Sequence, residues 1–227
     1  MNTLLENLSS DIAHFFESKK KSSDVFCNEC DLQLQLARYL SCSYKIHLEY
    51  FIPYSAVEAQ MKSKLLSEHD YKPQNLYIDI VVEKDGEFLP IELKYKTMPI
   101  NAEVYRFGEK LEKVEILKNH GARDLGAYDF WRDVSRIECL IKRFNNVKSG
   151  IALFVTNDQG YWTLPKKGTN SNYANFSMKD GAHSREKTWQ GNTAMSAARP
   201  SFNVNKEYEL VWKDHDLPFR YCLLQIK

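Results

Sequence analysis

The stretch LYIDIVVEKDGEFLPIELKYKT, residues 76–97, constrains the fold more than any other part of the chain. Leu76 to Glu83 is rich in β-branched residues, and Asp85-Gly86 is a strong two-residue hairpin signal. Phe88 to Lys96 reads as the return strand. Apolar residues lie on both faces of the first arm, so the hairpin belongs inside a sheet rather than at a solvated edge. Side chains alternate along the return strand, so Glu92 and Lys94 share a face while Ile91, Leu93 and Tyr95 take the other. The turn brings Asp79 of the first arm near Glu92.

Two carboxylates and a lysine in the middle of a sheet are costly unless they are paired or bound to a metal. Asp79, Glu92 and the Leu93 carbonyl make an oxygen-rich set of the kind Mg²⁺ prefers. Lys94 beside them could orient or activate a water and offset charge on a phosphorane. The same spacing also suits a structural Glu92–Lys94 or Asp79–Lys94 salt bridge on a half-exposed sheet.

Around the hairpin the periodicities are clear in places. Residues 3–18 read as an amphipathic helix through Leu4, Leu5, Leu8, Ile12, Phe15 and Phe16, and a second helix spans about 28–39. Residues 44–52 alternate: Tyr44, Ile46, Leu48, Tyr50 and Ile52 point one way, and Lys45, His47, Glu49 and Phe51 the other. Residues 55–69 suit a polar helix or a long loop. Residues 103–118 look helical but patchy. Residues 128–145 form the clearest helix, with Phe130, Val134, Ile137, Ile141 and Phe144 as its core stripe and Arg132, Arg136 and Arg143 off it. IALFVT is a short apolar strand at 150–156. Residues 165–206 read as a long polar insertion, and 208–212 with 220–226 as a final strand pair.

In that order, helix, strand, hairpin, helix and strand, the chain resembles the core of the PD-(D/E)XK nuclease superfamily, the restriction-endonuclease-like fold. Ile78-Asp79, twelve residues, then Glu92-Leu93-Lys94 resembles that superfamily's active-site signature, with Ile78 in place of its proline. LGAYDFWRDVSRIE and LFVTND also look similar to stand-alone members. The resemblance covers about residues 25–160, with 161–227 as an extension of one 227-residue domain. It implies an α/β fold with a mixed central sheet flanked by helices. It further implies a Mg²⁺-dependent nuclease in which Mn²⁺ substitutes, with Asp79, Glu92 and Lys94 catalytic. Asp79, Glu92, Leu93 and Glu49 would hold the metal, and Glu29 on the first core helix would be auxiliary. A catalytically silent nuclease-fold binding protein is the alternative. DNA is favoured over RNA as the superfamily's common substrate, and a homodimer is left open.

Composition limits the other classes. Hydrophobic residues are 43% and charged residues 27% of the chain, which is ordinary for a globular protein. No apolar run approaches the roughly 18 residues of a membrane span, and the first residues do not read as a signal peptide, so the expected location is the cytoplasm. Cys27 and Cys30 form a lone CxxC with no second pair to complete a zinc site. The six histidines sit in no nucleophile motif, and GxSxG is absent. Net charge is +1, yet residues 142–206 carry ten bases and three acids, an excess of +7. Lys166, Lys167, Arg185, Lys187 and Arg199 are therefore candidate nucleic-acid contacts, with Trp189 as a stacking platform; a solvated loop with a buried Trp189 is the other reading.

Overall fold

A computed structural model describes residues 3–19, 25–66, 74–164, 171–191, 198–215 and 218–227. The chain is α/β, built on a mixed six-stranded sheet. Its helices are α1 (Leu4–Lys19), α2 (Glu29–Leu40), α3 (Glu58–Lys62) and α4 (Arg123–Arg143). Its strands are β1 (Lys45–Ile52), β2 (Leu76–Lys84), β3 (Glu87–Lys96), β4 (Ile100–Arg106), β5 (Glu109–Leu117) and β6 (Gly150–Thr156). They continue with β7 (Gly181–His183), β8 (Glu186–Lys187), β9 (Phe202–Asn203), β10 (Tyr208–Leu210), β11 (Trp212–Asp214) and β12 (Arg220–Ile226). The sheet order is β1-β2-β3-β6-β12-β11, which sets the 76–96 hairpin near the middle. Among the described strand pairs of this sheet β3–β6 alone is parallel, and α4 makes the crossover between those two strands.

Each face of the sheet has its own cover. On one, Leu8, Ile12, Phe15 and Phe16 of α1 and Leu32 and Leu36 of α2 pack on Ile91, Leu93, Tyr95, Leu153 and Val155. On the other, Phe130, Val134 and Ile137 of α4 pack on Ala152, Phe154, Cys222 and Leu224. Phe130, Val134 and Ile137 of the α4 stripe are buried, Ile141 is half-buried and Phe144 lies just past the helix; burial also takes in Tyr128, Trp131 and Leu140. Among the described residues no helix is long and apolar enough to cross a membrane.

Three segments differ from the sequence reading. Residues 103–118 belong to the β4–β5 hairpin, not to a helix. Their Glu and Lys content favours a helix, but Val104 and Val114 through Ile116 follow a period of two, and Phe107-Gly108 makes the turn. Over 55–66 the ambiguity resolves to a five-residue helix, α3, after a 3₁₀ turn at Tyr54–Ala56, while 67–69 lie outside the described residues. In the C-terminal pair, β12 is matched by Trp212–Asp214, while Tyr208–Leu210 turns away to pair with β7. The segment after residue 160 is no appendage. Its last strand is the fifth of the sheet, and Tyr221 stacks on Phe16 of α1 at 4.3 Å. Phe176, Met178, Phe202 and Val204 bury themselves against α4 and the sheet.

Candidate active site

β2 and β3 pair from Lys84↔Glu87 as far as Ile80↔Ile91, and there the ladder ends. The next pair in that register would be Asp79 with Glu92. On the other side of β2, Glu49 falls between the pairs Leu48↔Ile80 and Tyr50↔Ile78 and has a φ of +48. A non-glycine residue in the left-handed region redirects a strand. Both strands change partners at this level. Ile80 and Val82 pack beneath α1 and α2, whereas Leu76, Ile78 and Ile52 pack with Cys139 and Leu140 of α4. The even alternation read for 44–52 therefore breaks at Glu49, and Leu48 and Tyr50 are exposed.

Where β2 leaves, the backbone of β3 still has to be satisfied. Leu93 N donates to Asp79 Oδ2 at 2.5 Å, and Tyr95 N donates to Glu29 Oε2 at 2.7 Å. Side-chain carboxylates thus stand in for a missing strand. Glu29 reaches that point as the first residue of α2. Asn28 caps the helix by accepting from Asp31 N at 2.8 Å, and Asp31 accepts in return from Cys27 N at 2.8 Å. One turn along α2, Gln33 donates to Glu49 Oε1 at 2.8 Å and to the Asp79 carbonyl at 2.7 Å.

The opposite face of β3 carries Glu92, Lys94 and Lys96 toward α4. There, Asp129, Asp133 and Arg136 follow one another at helical spacing of four and three. Lys94 Nζ lies 2.6 Å from Asp133 Oδ2, an ion pair without hydrogen-bond alignment. It also donates to the Leu93 carbonyl at 2.9 Å. Arg136 Nη1 is 3.1 Å from Asp133 Oδ1 and 3.5 Å from Glu92 Oε1. Glu92 is buried, and its Oε1 has no hydrogen-bond partner.

Burial and mutual repulsion dominate the titration of these acids. Burial raises Asp79 from 3.8 to about 6, opposed by Lys94 and the Leu93 N–H. Burial, then Asp133, pushes Glu92 well above the usual carboxylate range. Burial also raises Asp129, with Asp133 adding to it and Lys94, Arg199 and Lys96 opposing. Lys94 is pulled down by burial, but Asp133, Glu92, Asp79 and Glu29 together hold it above its ordinary value. One lysine is thus fixed as a cation within a ring of acids.

Comparison with protein-family models, with curated proteins and with solved structures finds no match for the chain. Inference about function therefore rests on the residues themselves.

Asp79, Glu92, Leu93 and Lys94 meet at one place, and Glu29 joins them through Tyr95 N. Glu49 is exposed and touches the group through Gln33. Of the two outer acids, Glu29 is the one whose charge bears on both Asp79 and Lys94. Asp133 and Arg136 did not figure as site residues in the sequence reading. Their signal was present as a polar stripe, Asp129, Asp133 and Arg136, on a helix otherwise buried.

The basic segment divides. Lys166 and Lys167 lie outside the described residues. Arg185 is exposed, and Arg199 is close enough to act on Asp129. Lys187 is a correction: it is 0% exposed, its Nζ sits 3.5 Å from the Trp131 ring centre, and it cannot meet a phosphate. Trp189 is also buried, donating to the Arg199 carbonyl at 2.9 Å and stacking on Tyr128, so it is no open platform. The pairing of this polar-looking segment with the α4 aromatics removed both from solvent.

Proposed function

We propose that this chain is a metal-dependent nuclease of the PD-(D/E)XK type that hydrolyses phosphodiester bonds, with DNA the expected substrate. The observation that carries the reading is the convergence of Asp79, Glu92 and Lys94 where β2 and β3 part, with a buried Glu92 oxygen that no donor satisfies. A buried carboxylate oxygen that accepts no hydrogen bond, with the Arg136 guanidinium only as near as 3.5 Å, is expensive, and a cation would relieve it. Among the described residues no three His, Cys, Asp or Glu side chains gather as a metal shell. Mg²⁺ commonly takes one or two carboxylates and keeps several waters. Asp79, Glu92 and the Leu93 carbonyl would hold it, and Lys94 would give up that carbonyl on binding.

Bound Mg²⁺ would supply Lewis acidity toward a phosphate oxygen and a more acidic water. The chain's own residues prepare the rest. Leu93 N fixes the Asp79 carboxylate, so its position does not depend on the ligand. Asp133 holds the Lys94 ammonium beside the Glu92 face, where it offsets negative charge as the phosphorane forms. Arg136 bridges Asp133 and Glu92 and limits the repulsion between them.

The test is incubation with linear, circular, single-stranded and branched DNA and with RNA, in Mg²⁺, Mn²⁺ and EDTA. Cleavage should need the divalent ion, and Asp79→Ala should lose both cleavage and Mg²⁺ binding by calorimetry. Equal isotherms for Asp79→Ala and wild type would refute the site.

A further inference from the structure

Past Lys96 the chain leaves the sheet as the β4–β5 hairpin, only a few residues beyond Lys94. The base of this arm is locked. Thr97 N donates to His120 Nδ1 at 3.2 Å, His120 N to the Thr97 carbonyl at 2.9 Å, and Thr97 Oγ1 to the Lys118 carbonyl at 2.7 Å. Met98 N donates to Asn157 Oδ1 at 2.7 Å, and Asn157 Nδ2 returns to the Met98 carbonyl at 3.1 Å. Beyond that clamp β4 and β5 pair with each other alone. Seven residues of β4 give the arm a length of about 24 Å.

The tip is unusual in its chemistry. Arg106↔Glu109 is the last pair, so Phe107 and Gly108 form a two-residue turn, with φ of +52 and +86. Such turns favour Asn-Gly or Gly-Gly, because the first position is left-handed. A bulky side chain there is strained. Phe107 is also fully exposed, at 108%, and Tyr105 beside it is 68% exposed. The ring packs on nothing and strains the backbone, so fold stability accounts for neither feature. Strain of this kind marks a functional position.

The arm's charges say what it would take. Glu103, Glu109, Glu112 and Glu115 outnumber Arg106, Lys110 and Lys113, and Lys110 is paired with Glu103 at 3.0 Å and Glu112 at 3.5 Å. The arm therefore has no surplus positive charge with which to grip phosphate. What it offers is an aromatic face, and every nucleobase has a matching one. A two-stranded ribbon also fits the major groove of a duplex.

We propose that the β4–β5 hairpin is a substrate-reading arm whose Phe107 ring stacks on a nucleobase of the nucleic acid engaged by the Asp79–Glu92–Lys94 site; this rests on the nuclease reading above. The hydrogen-bonded base roots the arm at Thr97, three residues past Lys94 in the chain. Stacking is tolerant of base identity, so the arm measures position rather than sequence.

The experiment uses full-length protein with Asp79→Ala, to prevent cleavage, and a forked DNA duplex carrying 2-aminopurine in an unpaired arm. Binding should quench the fluorophore. Adding Phe107→Ala should remove the quench and weaken binding about tenfold, the ordinary scale for one base–aromatic stack. Phe107→Trp should restore both. Phe107→Asn suits the turn and should raise thermal stability while binding as poorly as the alanine variant. Unchanged quench and affinity in Phe107→Ala, with wild-type cleavage present, overturns the arm and leaves the nuclease standing. A dimer that Phe107→Ala converts to monomer in light scattering, with DNA binding unaltered, overturns it in favour of contact between copies. If wild type neither binds nor cleaves any DNA or RNA, the nuclease reading falls and the arm with it.

Discussion

Asp79→Asn separates the structural use of Asp79 from its charge. Asn retains a side-chain oxygen to accept the Leu93 N–H that Asp79 now accepts at 2.5 Å. It removes a carboxylate whose pKa burial raises from 3.8 to about 6. At about 1.4 kcal/mol per pKa unit, the ionised form costs the fold about 3 kcal/mol, and about half of that survives relaxation and partial solvation. Between pH 3.8 and about 6 the folded chain holds this proton more tightly than the unfolded chain. Stability from this group is therefore full below 3.8 and is lost as pH rises through about 6. Urea denaturation in EDTA should find Asp79→Asn more stable than wild type by about 1–3 kcal/mol at pH 8, and nearly equal at pH 4. Saturating Mg²⁺ should narrow the gap at pH 8, because only the carboxylate form gains from the ion. A difference that is the same at pH 4 and pH 8, or an asparagine variant less stable at pH 8, would refute the reasoning.

Two further outcomes follow from other buried charges. Asp133→Asn removes the ion pair that holds Lys94, so single-turnover cleavage should fall about 100-fold or more while substrate affinity changes little; unaltered cleavage would show that Lys94 needs no such partner. Lys187 is depressed from 10.5 to about 7 by burial, so its burial costs stability that is regained as pH rises from about 7 to 10.5. Lys187→Met should stabilise the fold by about 2–4 kcal/mol at pH 7, after loss of a cation–π contact of about 2 kcal/mol, with the advantage fading toward pH 10 in chemical denaturation.

Much of the local structure was legible because periodicity is a property of sequence. Asp85-Gly86 and the flanking β-branched residues specify the hairpin, and the spacing of Glu92 and Lys94 puts them on one face. The stripe from Phe130 to Ile137 marks α4. Other elements were decided by partners distant in the chain. Residues 103–118 have helix-forming composition, but the clamp of Thr97 to His120 and the Phe107-Gly108 turn make them an arm. Lys187 looks solvated and nucleic-acid-facing until the α4 aromatics close over it, and the same aromatics decide the open choice for Trp189 in favour of burial. Asp133 shows the limit most clearly. Its place in FWRDVSRIE marks it only as an acid on a buried helix, and its role as Lys94's partner exists because β3, α4 and β6 form a crossover that stacks one polar stripe on another. The sequence by itself determined the 76–96 hairpin, its Asp85-Gly86 turn and the shared face of Glu92 and Lys94, since these depend on near neighbours. Tertiary structure alone decided which faces meet, where β2 and β3 part, and therefore which charges must share one buried space.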